Sequence, residues 1–393
     1  MKAYKTEIHP TQAQIELIHK TFGCTRYIYN RYVSENLENL TLGKDFISAF
    51  NYSKKVNNDP NTPSWLKEVP SKAIKQALIY ADRAFKDYFS KRRGKPTFKK
   101  KGKASSFYLI GTIKVERHRI FVPKLKWVRL KEFGYIPKNI ISVTISMKNG
   151  RYYISCLCKE EKDERVTLSK ESMGIDFGLK DQFITEDKTI PSINHSLRIK
   201  KLEKRLRREQ RKLSRKYKAN MIDKMYYQSG VKKGQLKSFR WIKPLSKCKN
   251  IQKQKLKVAR LYERMTRIRT DYNRKALRSL VLARKPSSIT IENLAVRNLM
   301  KNRHLSKAIS KAQWFQSRLY LKNLCEKLGI ELRLADKFYP SSKLCSTCGF
   351  KYKDLDLKER FWTCSNCGSE HDRDKNAAIN LGQCSTYTVL TAV

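Results

Sequence analysis

The chain has 393 residues, enough for two or three domains with sizeable cores. Its 86 Lys and Arg stand against 35 Asp and Glu, a net charge of +51 that exceeds what solubility needs and points to a nucleic-acid partner. The sequence contains no apolar run of membrane-spanning length, and Met1–Glu7 lacks an apolar signal region, so a cytoplasmic, nucleoid-associated, non-secreted protein is expected.

In chain order, residues 2–8 read as a short strand. Thr11-Gln-Ala-Gln14 has the form of a helix start with a capping box, followed by Ile15, Ile18 and Phe22 at helical spacing. A second helix is predicted from Ser71 to Ser90, with Ile74, Leu78, Ala81 and Phe85 on one stripe. Residues 11–103 are therefore expected to form a helical insertion. Its last segment, Lys91–Lys103, holds eight basic residues and no acid, broken by Gly94, Pro96 and Gly102. It reads as a loop that clamps phosphates, with Arg92, Arg93, Lys99, Lys100 and Lys101 as contacts.

Residues 107–158 change to strand patterning. Ile120–Val122, Ile141–Ile145 and Tyr152–Leu157 alternate, and Asn149-Gly150 is a strong hairpin signal between the last two. The expectation is a small antiparallel β-barrel over 1–10 and 104–168, closed by the strand at 2–8. Residues 198–218 then form a basic helix with twelve Lys/Arg against two Glu. Ile199, Leu202, Leu206 and Leu213 make a narrow packing seam, which leaves Arg205, Arg208 and Arg211 for phosphates.

Three acidic segments stand out. Met173-Gly-Ile-Asp176 reads as a buried strand with one acid, and Phe183–Thr185 as its hairpin partner. A lone acid in such a strand is costly unless paired or metal-bound. Ser288-Ile-Thr-Ile-Glu292 repeats the pattern, with the acid at the strand's end, a usual position for chemistry. Asp372-Arg-Asp374 precedes the helix-forming Asn376-Ala-Ala-Ile-Asn380. Hard oxygen ligands from three segments suit two Mg²⁺ or Mn²⁺ ions flanking a scissile phosphate.

Just ahead of the last acids lie Cys345-Ser-Thr-Cys348-Gly349 and Cys364-Ser-Asn-Cys367-Gly368, two CxxC pairs 15 residues apart. This is a four-thiolate signature for one structural Zn²⁺. Cys24, Cys156, Cys158, Cys248, Cys325 and Cys384 read as packing residues, and His371 as a surface histidine. Together these features predict a metal-dependent nuclease.

Several segments resemble the TnpB family of transposon-encoded proteins, also called OrfB and related to the type V CRISPR nucleases. They are Tyr4 with Ile8-His-Pro-Thr11, Phe22–Asn30, Gln76-Ala-Leu78, Asp82–Lys86 and Gly94–Phe98. Gly174–Gly178, Ile291–Leu294, Pro340–Lys343 and Asp372–Ala378 match as well. The resemblance covers nearly the whole chain. It implies a multidomain α+β protein: a wedge barrel with a helical insertion, and an RNase H-like nuclease domain of RuvC type over 169–342 and 371–393. A zinc ribbon over 343–370 would be inserted into that domain. It implies Asp176, Glu292 and Asp374 as the catalytic set, because the third acid of the family directly precedes x-Asn-Ala-Ala; Asp372 becomes a neighbour. The implied activity is RNA-guided cleavage of double-stranded DNA beside a short motif, with a guide RNA from the transposon end. Lys72 and Gln76, one turn apart, are candidate readers of that motif. The alternatives are a nuclease-inactive RNA-guided repressor and a transposase accessory protein.

Overall fold

The computed structural model describes residues 1–102, 105–159, 165–231, 233–352, 355–356 and 359–391. Lys103, the 103/104 domain boundary, part of the 104–168 segment and the last two residues of the tail lie outside the described residues. The fold is mixed α and β in two compact units, 1–162 and 163–393.

The first unit begins with β1 (Lys2–His9) and α1 (Gln12–Thr41). Thr11 caps α1 and the predicted capping box forms: the Thr11 hydroxyl accepts from the Gln14 amide, and the Gln14 side chain accepts from the Thr11 amide. Helices α2 (Ala49–Asn58) and α3 (Ser71–Phe89) complete a small bundle. Ile28, Tyr32, Val33, Leu78, Ala81 and Phe85 fill its core. The motif acid Asp82 is buried there, and accepts from the Tyr32 hydroxyl at 3.0 Å and from the amide of Ala49, the first residue of α2, at 3.2 Å. It therefore joins all three helices.

Strands β2 (Ser105–Leu109), β3 (Lys114–Val115), β4 (Arg119–Val122), β5 (Lys126–Leu130), β6 (Ile140–Lys148) and β7 (Arg151–Cys158) follow. Asn149 and Gly150 turn β6 into β7 with φ of 52° and 68°, the left-handed pair that a two-residue hairpin needs. The expected barrel is not closed. The sheet runs β2-β6-β7-β1-β5-β4-β3, so β1 lies in its middle, and β2 and β3 are its ends. Helical side chains cover the core that barrel closure would have sealed. Ile18 and Phe22 of α1 and Ala73 of α3 join Phe107, Ile145 and Ile154 in one cluster, with the Phe22 and Phe107 rings 5.5 Å apart. Cys156 and Cys158 share the buried face of β7, as expected of packing cysteines.

The second unit opens with β8 (Ser172–Ile175), β9 (Asp181–Ile184) and β10 (Thr189–Pro191). Next come α4 (Leu197–Ala219), a two-stranded ribbon of β11 (Met221–Tyr226) and β12 (Leu236–Trp241), and α5 (Lys249–Arg284). Then follow β13 (Ser288–Ile291), α6 (Val296–Leu299), α7 (Ser306–Ala312), α8 (Trp314–Leu328) and β14 (Glu331–Ala335). The chain ends through β15 (Phe361–Thr363), β16 (Glu370–Asp372), α9 (Arg373–Gly382) and β17 (Tyr387–Val389).

The sheet order is β17-β14-β13-β8, with β13 parallel to both β8 and β14. A bridge between Asp176 and Ile184 continues it towards β9 and β10. Beyond the exposed Ser172, strands β8 and β13 are buried, with Met173, Ile175, Ile289 and Ile291 in the core, as parallel strands covered on both faces are. The predicted seam of α4 packs on α5: Ile199, Leu202 and Leu206 meet Val258, Leu261 and Met265. The far end of α5 supplies Leu277, Leu280 and Val281 to the sheet core. The long helix thus ties the basic arm to the strands that carry the acids.

Candidate metal centres

The sheet positions the acids. Asp176 immediately follows β8 and Glu292 immediately follows β13, and these strands are parallel and in register, Ile175 beside Ile291. Both carboxylates therefore emerge at the same edge, beyond the carboxyl ends of the strands. Helix α9 brings the third. It packs so closely on β8 that a Cβ at Gly174 would lie 1.9 Å from the Ala378 carbonyl oxygen, so Gly174 is required by space. Ala377 and Ala378 are small and buried for the same close approach.

Asp372 is the N-cap of α9. Its Oδ1 accepts from the amides of Asp374 and Lys375 at 3.0 and 3.1 Å. Asp374, two residues on, lines a cleft of about 190 Å³ with Asp176 and Glu292. Lys343, Asp356 and Arg373 line it too. Asp372 therefore spends an oxygen on capping the helix, while Asp374 faces the cleft.

Burial, and then repulsion from Glu292 and Asp374, push the Asp176 carboxyl well above the usual carboxylate range. Burial likewise raises Glu292, opposed by a 2.7 Å hydrogen bond donated by the Ser341 hydroxyl. Asp374 is held by cations: Arg373 at 3.3 Å and Arg360 at 3.4 Å. Three hard oxygen donors in a half-buried cleft, two of them resisting ionisation, form a donor set that a divalent cation would relieve.

The four cysteines converge as the spacing predicted. Their sulfurs all lie within 4.8 Å of one another. Cys345 and Cys367 are 3.6 Å apart and Cys348 and Cys364 3.7 Å, close to the roughly 3.8 Å edge of a tetrahedron with about 2.3 Å zinc–sulfur bonds. The residues fit a Zn²⁺ site. Each pair sits on a knuckle: the Gly349 amide donates to the Cys345 carbonyl and the Gly368 amide to the Cys364 carbonyl, both at 2.8 Å. Both glycines take left-handed φ, 74° and 73°. The Ser369 hydroxyl is the main cause that lowers the Cys367 thiol to about 6, which favours the thiolate.

His371 is not a simple surface residue. Its Nε2 is 3.1 Å from the Cys345 sulfur, and its ring packs on Trp362 at 4.8 Å. Of the lone cysteines, Cys24, Cys156, Cys158, Cys325 and Cys384 are buried as expected; Cys248 is only half-buried, at the start of α5.

The two centres are physically joined. Asn376 donates to the Leu344 carbonyl at 2.6 Å and accepts from the Ser346 amide at 2.9 Å. Asn380, one turn later, donates to the carbonyls of Ser341 and Leu344, both at 2.7 Å. Two asparagines four apart on α9 thus lock the strap that enters the ribbon and carries Ser341 to Glu292. In the sequence, Asn376 stands out as part of the Asp372–Ala378 match and Asn380 as a helix former; their i, i+4 spacing beside a thiolate pair is the signal for this role. Ser341 lay in the matching Pro340–Lys343 segment with no role attached, and Arg360 carried no signal.

The expected phosphate contacts are surface residues. Lys72 and Gln76 lie one turn apart on α3, with Lys72 exposed. Arg92 and Arg93 are exposed and pair with Asp87 at 3.2 and 3.7 Å. The Lys99 ammonium sits 3.9 Å from the Tyr29 ring centre, and Lys100 and Lys101 are exposed in the loop. Arg205, Arg208 and Arg211 are exposed on α4. Glu203 and Glu209 on the same helix instead bind Arg269, at 3.2 Å, and Gln254, at 2.7 Å, of α5.

An acid cleft at the carboxyl edge of parallel strands, in a chain this basic, is the arrangement that phosphodiester chemistry on a nucleic acid calls for. Three family models match successive parts of it: "Helix-turn-helix domain" over 1–45, "Probable transposase" over 155–303 and "Cas12f1-like, TNB domain" over 314–381. In this chain the first span is β1 and the single helix α1. A Streptomyces pristinaespiralis protein named "Putative RNA-guided DNA endonuclease" is 32% identical over 97% of this chain and 88% of its own length. The Escherichia coli protein "Putative RNA-guided DNA endonuclease InsQ" is 27% identical over 97% of this chain and 91% of its own. In fold, the chain resembles the mini-RNA-guided endonuclease CRISPR-Cas_phi3, with TM-score 0.50 and 12% identity over 97% of this chain and 92% of that one. The chain belongs to the TnpB (OrfB) family of transposon-encoded proteins.

Proposed function

We propose that the protein is an RNA-guided DNA endonuclease that cuts double-stranded DNA at Asp176, Glu292 and Asp374. The observation that carries this reading is the convergence of three acids, from positions far apart in sequence, on one cleft of a +51 chain. The strand sequence β10-β9-β8-β13-β14, taken through the Asp176–Ile184 bridge, supports the RuvC-type, RNase H-like assignment of this domain. The names of the relatives supply the RNA guide and the DNA target.

The three carboxylates would hold Mg²⁺ or Mn²⁺, two ions in all. Bound there, such ions supply an activated water and charge neutralisation at the leaving oxygen. Ser341 fixes the Glu292 carboxylate by its hydrogen bond. Asp372 fixes the first turn of α9, and with it Asp374. Arg360 and Arg373 pair with Asp374 and would offer positive charge to an anionic backbone at the cleft. One Zn²⁺ at Cys345, Cys348, Cys364 and Cys367 keeps the strap beside Glu292 and α9 ordered.

The remaining charge serves two polyanions, a guide RNA from the transposon end and the target DNA, through backbone contacts; base pairing carries the sequence information. The first unit is assigned to the guide scaffold and the flanking motif, with Lys72 and Gln76 as motif readers. The basic loop and α4 are assigned to phosphates.

The test is co-expression with the flanking DNA of the element, sequencing of the co-purified RNA, and incubation with a guide-matched target. A single abundant RNA and cleavage that Asp176→Ala abolishes are expected. Heterogeneous RNA removes the guided reading. A defined RNA with equal, negligible cutting by wild type and Asp176→Ala turns the protein into a guided repressor.

A further inference from the structure

A second cavity, of about 350 Å³, shares Glu292 with the acid cleft. Phe177, Ile291, Trp314 and Phe315 give it apolar walls, and Arg297 and Arg318 line it as well. Glu292 is its one carboxylate. The wall is built deliberately by the backbone. Gln313 takes a left-handed φ of 59° between α7 and α8, so α8 starts with two consecutive aromatic side chains at the cavity. Trp314 is buried and fixed, its Nε1 donating to the Gly178 carbonyl at 3.2 Å. Phe315 is 52% exposed, and the guanidinium of Arg318 lies 5.9 Å from its ring centre.

An apolar cavity lined by a fixed indole, an accessible phenyl ring and two guanidiniums has a definite chemistry. It accepts a flat aromatic group that carries negative charge. A nucleotide has that form, with the base on the rings and its phosphate on the arginines. The shared Glu292 places this slot next to the cleft assigned to phosphodiester cleavage. A base in a duplex is stacked and paired and cannot enter, so the occupant is unpaired.

We infer that this cavity is a nucleobase subsite, which holds one unpaired base of the DNA strand being cut, beside the scissile phosphate, by stacking on Phe315 with Arg297 and Arg318 on the adjoining phosphate. The inference rests on the nuclease reading and deepens it: the enzyme grips its strand by a base as well as by the backbone. Its walls are mostly rings and alkyl groups, so the grip tolerates different bases. It also makes local strand opening a condition for cutting.

The test uses the guide-loaded protein and a matched DNA with 2-aminopurine at each nucleotide flanking the mapped cut. In an Asp176→Ala background, where cutting is stopped, one flanking position should be quenched by stacking. Phe315→Ala should restore its fluorescence and Phe315→Trp should keep the quench. With Asp176 intact, Phe315→Ala and Phe315→Leu should both slow cutting about tenfold or more, the size of one lost base–aromatic stack, while Phe315→Trp stays near wild type. The leucine variant keeps apolar volume without a ring and so separates stacking from packing. Wild-type cutting that is unchanged in Phe315→Ala, with no quenched position, overturns the subsite and leaves the nuclease reading standing. Wild type that cuts no better than Asp176→Ala overturns both.

Discussion

The two candidate metal centres of the second unit are built in opposite ways. The thiolate centre is local: its four ligands fall within residues 345–367, each pair on a knuckle with its own left-handed glycine. The carboxylate centre is assembled from afar: Asp176, Glu292 and Asp374 meet only because β8 and β13 are parallel and α9 folds back on β8. The first is stable chemistry that needs its metal to hold a small fold together. The second is a set of acids positioned by strands that belong to a large apolar core. Structure is expected to depend on the thiolates, and activity on the acids.

The largest effect should come from Asp176→Asn. Cleavage of guide-matched DNA should fall by at least the roughly 10²–10³-fold that one electrostatic contact to a transition state is worth. The same variant should be more stable than wild type in the absence of divalent ions. The folded-state pKa of Asp176 is raised, so the folded protein binds more protons than the unfolded chain above the ordinary carboxylate range. Wild-type, metal-free stability therefore falls as pH rises from about 4 through the raised value, and the neutral amide removes that loss. Thermal melts across pH with and without Mg²⁺ check the sign; an asparagine variant less stable at neutral pH would contradict it.

Next in size is Cys364→Ser, or removal of zinc by a chelator. Bound metal near one per chain should be lost, and the ribbon and the 341–346 strap should become protease-sensitive while the first unit keeps its melting behaviour. A zinc-free protein with full activity would break the contrast between the two centres. Smaller again is Asn380→Ala, which removes the side-chain donor to the Ser341 carbonyl and leaves the Leu344 carbonyl with Asn376 alone. About 1–3 kcal/mol of stability should go, with lowered activity, because the strap carries the hydroxyl that orients Glu292. Denaturant titration beside a cleavage assay reads both. Smallest is a single change in the basic loop, such as Lys100→Ala. Binding of a matched duplex should weaken about equally for all sequences, with the salt slope reduced by about one. An unchanged slope would remove that loop from the phosphate contacts.

What the residues revealed in advance follows the same contrast. Thiolate spacing is a local code, and so are the capping box at Thr11 and the Asn149-Gly150 turn; all three were legible because neighbours in sequence decide them. The acids were legible as types, each a carboxylate at the end of a buried strand or at the first turn of a helix. Their partners were not: Ser341 lies in the matching Pro340–Lys343 segment but nothing local points it at Glu292, Arg360 has no motif of its own, and only tertiary packing brings them to Glu292 and Asp374. The barrel expectation failed for a related reason. Strand patterning reports which residues are half-buried and leaves open what covers the end strands. Ile18, Phe22 and Ala73 of the helices took that place. The aromatic pair Trp314-Phe315 was likewise invisible as a wall, since two adjacent rings on a helix read as ordinary core.

The most direct test of the central claim compares Asp374→Asn with Asp372→Asn in Mg²⁺-dependent cleavage of guide-matched DNA. Asparagine caps a helix as well as aspartate does, so Asp372→Asn should keep α9 in place and retain near wild-type cutting. Asp374→Asn should lose it while still binding guide and target. Equal loss in both variants, or full cutting by Asp374→Asn, would contradict the assignment of the third acid and with it the account of the cleft.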